Sequence, residues 1–191
     1  MSTNNDSTQH VQIAVADPTP LGLFGLAVVT MVASAQKLGI VEGVSWVLPW
    51  ALFCGSFAQL LAGYFYYCHR NIFGATIFSA FGFFWSAVGM SWMIKAGTFG
   101  PGLAAGVDPK AIGFAFLAYF IFACIGTIAA SSASLFLFVD MVFIDILLLG
   151  LALDGLGIGG HFPHTMAAYA EMAVALISLY GAGAGFLNNF Y

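Results

Sequence analysis

Three acids sit deep inside long apolar runs of this chain: Asp140 and Asp145 in one run and Glu171 in the next. An ionisable side chain at membrane depth is costly, and it marks a pathway, an ion pair or a proton relay. Gln59 is the amide counterpart, set in an apolar stretch where it needs a hydrogen-bond partner or a polar solute. Thr30 and Thr76 bring hydroxyls into two further runs, where each can bond a passing carboxylate or turn back onto its own helix. His161-x-x-His164, with Asp154 upstream, offers metal-ligand types without further ligands at metal-site spacing. A surface pair or pH-responsive rim is the expectation there, and no metal or other cofactor is assigned. No nucleophile–base pair or phosphate loop stands out, which argues against an enzyme.

The segment Asp17-Pro18-Thr19-Pro20-Leu21-Gly22-Leu23 opens a stretch, 18–36, without Asp, Glu, Lys or Arg. About 20 such residues suffice for a helix to cross a bilayer. Proline is already set for the first helical position, and Asp17 is a competent cap in front of Pro18. The helix N-terminus, with its partial positive charge and free N–H groups, then stands where a small anion could enter.

Composition requires a membrane reading of the elements that hold these groups. Hydrophobic residues make up 61% and charged residues 6%, and mean hydropathy is +0.98, beyond what soluble domains show. The apolar runs predict an all-α bundle of six transmembrane helices at roughly 20–36, 44–67, 72–95, 111–130, 133–153 and 163–187, with ends uncertain by about 4 residues. The fourth-to-fifth boundary rests on the short polar turn within 129–134. Residues 1–16 read as a disordered polar tail, without the basic region of a signal peptide, and 17–191 as the membrane domain. The absence of any basic cluster argues against nucleic acid. Cys54, Cys68 and Cys124 have neither disulfide nor metal spacing. Gly22, Gly25, Gly55, Gly63, Gly181 and Gly185 supply small surfaces for close helix approach. Four Lys/Arg carry the whole orientation signal, and counted literally they put both termini outside.

Three blocks in order carry a family likeness. Asp17–Leu23 resembles the Asn-Pro-Ala-Pro-Leu-Gly-Leu signature of the acetate uptake transporter family, also called the GPR1/FUN34/YaaH or succinate–acetate permease family, with Asp17 for the usual Asn and Thr19 for a small apolar residue. Asn71 to Trp85 is similar to its Gly-Asn-x-Phe-Gly-x-Thr-x-Phe-x-Ser-Tyr-Gly-x-Phe-Trp block, and Gly55 to Gly63 fits its second-helix pattern of Ala-Gln followed by Ala-Gly. The resemblance implies passage of acetate or other short monocarboxylates, with a proton or as the acid, through a narrow apolar constriction. It implies a ring of six protomers in the cell membrane, both termini in the cytoplasm. Counted from the motifs, the constriction falls on Leu26, Phe81 and Met141. Succinate, ammonium and urea remain open as solutes. A membrane enzyme acting on lipid or quinone is the reading from another class.

The buried acids depart from that family's pattern. Asp145 stands one turn from Met141, so it is expected on the pathway with it, whereas Asp140 is rotated by about 100° towards another helix or protomer. An ionised acid there would repel acetate. Asp145, with Glu171, is therefore expected to hold a proton when solute passes, coupling passage to proton uptake.

Overall fold

A computed structural model describes residues 15–191. Six helices are long and apolar enough to span a membrane: α1 (Thr19–Lys37), α2 (Val47–Cys68), α3 (Ile72–Lys95), α4 (Pro109–Ala133), α5 (Leu135–Leu156) and α6 (Phe162–Leu187). No strand occurs among the described residues. Of the expected tail, all but the last two residues lie outside the described part.

The helix ends follow local chemistry. Asn71 caps α3 by accepting a hydrogen bond from Gly74 N at 3.0 Å, and Asp108 caps α4 ahead of Pro109 by accepting one from Lys110 N at 3.0 Å. A short helix, Pro101–Ala105, occupies the loop before α4. Gly157 ends α5 in the left-handed region, φ 73°, where a side chain is strained and glycine is not. The expected break within 129–134 falls at its last residue: α4 continues through Ser131, whose hydroxyl donates to Ile128 O, to Ala133. The chain bends only at Ser134, which adopts extended backbone at φ −165°, ψ 137°. A short serine run need not break a helix even where it is exposed, because the hydroxyl bonds its own preceding turn.

α2 is not uniform. Val47–Trp50 is α-helical, Ala51–Ala58 winds as a π-helix and Gln59–Cys68 returns to α geometry. Such wide turns gather at functional sites. This one carries Gly55, against which Trp85 packs so closely that an added Cβ would lie 2.7 Å from the indole.

The packing partners trace a ring. α1 packs on α6 and α2, α2 on α3, α4 on α5, and α5 on α6, while the α3–α4 seam is the sparsest. Lipid gives helices no hydrophobic reason to associate, so small residues carry the close approaches. Gly25 faces the backbone carbonyl of Cys54, Gly63 faces Ser79, and Gly181 faces Phe136. The α3–α4 seam is bridged instead by aromatics: Tyr119 donates to Ala80 O at 3.0 Å and its ring lies 5.0 Å from that of Phe84. Of the tryptophans, Trp46 and Trp50 are exposed and Trp92 packs against the core.

Candidate functional site

The centre of the ring holds a cavity of about 30 Å³, room for one or two water molecules. α1 contributes Leu23 and Leu26, α2 Gln59, α3 Phe81 with its neighbours on the same face, and α5 Asp140 and Met141. Leu26, Phe81 and Met141 are all buried. Three bulky apolar side chains from three helices thus meet at one point, beside one amide and one acid.

The polar pair is held differently on its two sides. Gln59 is 1% exposed and its Nε2 donates to Gly55 O at 2.9 Å, so the wide turn of α2 fixes the amide. Asp140 is 3% exposed. Its Oδ2 accepts from Ser178 Oγ of α6 at 2.9 Å, while its Oδ1 has no partner among the described residues. Leaving a buried acceptor unmade is expensive, so this oxygen is available to a group that can donate.

The expected faces of α5 are corrected. Asp140, not Asp145, lines the cavity. Leu137, Asp140, Met141 and Ile144 form its α5 wall, an i, i+3, i+4, i+7 stripe. That stripe is centred on the side of Met141 away from Asp145. Asp145 turns to α4, where Thr127 Oγ1 donates to its Oδ2 at 2.7 Å.

Glu171 is also placed elsewhere. It is 1% exposed and pairs with Lys37 Nζ at the end of α1, 2.9 Å away, rather than joining the acids of α5. Close by, His164 Nδ1 lies 3.0 Å from Asp154 Oδ2 and its Nε2 3.3 Å from Lys37 O. The His161 and His164 rings stack at 5.6 Å. No group of three metal-ligating side chains occurs among the described residues.

The two threonines do not reach the cavity. Thr30 donates to Leu26 O at 2.7 Å, satisfied by its own helix, and Thr76 is half-buried on α3. The Asp17–Leu23 segment does reach it, through Leu23. Pro18 is corrected from first helical residue to cap, the helix beginning at Thr19. Asp17 is exposed, and its Oδ1 accepts from Thr19 N at 2.9 Å. A carboxylate thus already occupies one of the free N–H groups that were expected to attract an anion. Thr19 Oγ1 also hydrogen-bonds Tyr66 Oη. Tyr66 stacks on Phe78 at 5.5 Å, and Phe78 lines the cavity. Gly22 makes room for that ring, since a Cβ would lie 2.4 Å from it; Leu21 is exposed and Pro20 lies beside Gly185.

Sequence reasoning missed Ser178, Thr127 and Lys37 as the partners of the three acids. The spacing held one clue: Glu171 and Ser178 are seven residues apart, on one face of α6.

The sequence model of the GPR1/FUN34/yaaH family matches residues 2–191. The chain belongs to this family. Among GPR1/FUN34/yaaH relatives, it is 35% identical over 71 residues to the succinate-acetate/proton symporter SatP of Escherichia coli K12, covering 37% of this chain and 38% of that protein. It is 41% identical over 78 residues to the ammonia transport outward protein 2 of Saccharomyces cerevisiae, covering 39% of this chain and 27% of that protein. The aligned stretches thus span well under half of either relative. The fold matches the structure of the bacterial acetate channel SatP with TM-score 0.85 at 22% identity, covering 93% of this chain and 96% of that one. The GPR1/FUN34/yaaH protein described here is a multi-pass membrane protein with that fold.

Proposed function

We propose that this chain passes acetate and similar short monocarboxylates across the membrane together with a proton, through a constriction formed by Leu26, Phe81 and Met141. The convergence of these three side chains from α1, α3 and α5 on one cavity carries the reading. An apolar constriction excludes hydrated ions by dewetting and admits small solutes with an apolar end. The methyl group of acetic acid suits the Leu and Phe walls, and its carboxyl group suits the side bearing Gln59 and Asp140. The names of the relatives support acetate as solute and a proton as companion. Assembly as a ring of six in the cell membrane, with both termini in the cytoplasm, completes the reading, each protomer carrying its own pathway.

Labelled-acetate uptake into proteoliposomes at several external pH values tests it, with succinate and ammonium as competitors. Saturable uptake above that of empty liposomes, rising at acid pH and lost in Phe81→Asp, is the expected result. No uptake above empty liposomes overturns it.

Ammonium is the second reading, favoured by one observation: a buried acid on the cavity wall attracts a cation as readily as it repels an anion. Uptake of labelled methylammonium, with no acetate uptake above empty liposomes, would select it.

A further inference from the structure

Among the described residues, Asp140 is the one ionisable side chain on the cavity wall. From α1, α2 and α3 it faces leucine, the Gln59 amide and phenylalanine or isoleucine side chains. From α6 it meets Ser178. On α4, Thr127 is engaged with Asp145, five residues further along α5, and Gly126 sits against Met141. The two remaining acids in the helices are engaged elsewhere, Glu171 with Lys37 and Asp154, at the end of α5, with His164. At the mouth, Asp17 and Tyr66 are joined through Thr19. No cation therefore neutralises Asp140 from any of these helices, and a second negative charge beside it cannot share so small a space.

Resting on the function proposed above, we infer that Asp140 makes passage electroneutral by accepting, at Oδ1, a hydrogen bond from the O–H of an undissociated short-chain monocarboxylic acid. Ser178 holds the other oxygen at 2.9 Å and so aims the free one. One proton lies between the two carboxyl groups. The solute carries that proton on with it, and Asp140 returns to its starting state. A bare carboxylate brings no donor and meets only acceptor oxygens at Asp140. Asp140 is thus a specificity-determining residue, reading whether the solute still has its proton.

The test uses the full-length protein in proteoliposomes, with valinomycin and potassium gradients setting the membrane potential, and in planar bilayers with acetate gradients. The wild type is expected to take up labelled acetate faster than empty liposomes, at a rate unmoved by potential, and to pass no acetate current. Asp140→Asn and Asp140→Ser remove the fixed negative charge. Both are expected to pass acetate current, and their accumulation should change about tenfold for a tenfold potassium gradient, as for one charge crossing the field. Either variant suffices if the other does not fold. A wild type whose uptake already follows potential overturns the inference and leaves acetate passage standing. So do folded variants that stay potential-insensitive. Absence of wild-type uptake overturns both proposals.

Discussion

Lys37 Nζ lies 2.9 Å from Oε2 of Glu171, joining the last residue of α1 to the interior of α6. Beside it, Ser34 Oγ donates to Ala168 O at 2.7 Å, so two polar contacts fasten the same pair of helices. A buried ion pair gains little over a well-packed apolar pair, but removal of one partner leaves an uncompensated charge. Lys37→Met is therefore expected to destabilise the bundle by about 3–5 kcal/mol, and Lys37→Met with Glu171→Leu to recover much of that loss. Denaturant unfolding in detergent micelles, followed by circular dichroism, reads both. A double variant no more stable than Lys37→Met would show that the pair itself is needed.

Gly25 predicts a sharper steric effect. A Cβ there would lie 2.4 Å from the Cys54 carbonyl oxygen, and backbone in the wide turn of α2 cannot rotate aside as a side chain does. Gly25→Ala should cost about 1–3 kcal/mol, whereas Gly183→Ala, with nothing within 4 Å, should stabilise by up to about 1 kcal/mol. Thermal unfolding of the two variants side by side separates close packing from helix propensity.

The contrast between what α3 and α5 disclosed in sequence has a physical cause. α3 was expected at 72–95 and spans Ile72–Lys95, because Asn71 and Lys95 flank an uninterrupted apolar run. α5 is apolar on nearly every side, so no polar face fixed its rotation. Its acids could be placed only by counting from Met141, and that count favoured Asp145. The cavity-facing stripe is set by helices from elsewhere in the chain: Ser178 draws Asp140 inward and Thr127 draws Asp145 outward. Partners on other helices leave no local spacing to read. Leu26 and Phe81 were legible because the motifs around them anchor the count, and the wide turn at Ala51–Ala58 was not, since π winding has no residue signature of its own.

Asp145 offers a control for the acids. Its bond to Thr127 points away from the cavity, and an asparagine oxygen still accepts that bond, more weakly than a charged carboxylate oxygen does. Asp145→Asn is expected to leave the pH profile of acetate uptake unchanged and to shift stability by no more than about 1 kcal/mol. Asp145→Leu leaves Thr127 only its own helix, Ala123 O at 3.0 Å, and should be the less stable variant. A flattened pH profile in Asp145→Asn would move proton linkage from the cavity to the α4–α5 contact.

Leu26 and Phe81 line the same cavity from α1 and α3, and their truncation should have unequal effects. Phe81 is braced by Phe84 and Tyr119, whose rings lie 6.0 and 6.1 Å away; its removal unsettles the α3–α4 seam and should cost about 3–5 kcal/mol. Leu26 is on α1, away from the α3–α4 seam, so Leu26→Ala widens the cavity with that seam intact, at about 2–5 kcal/mol. Acetate uptake in Leu26→Ala should rise several-fold on the order of what loss of a dewetted barrier gives, and butyrate and succinate should begin to compete. Competition curves on proteoliposomes measure this directly. A Leu26→Ala protein that folds and keeps both the wild-type rate and the wild-type exclusion of butyrate would place the narrowest point elsewhere in the bundle.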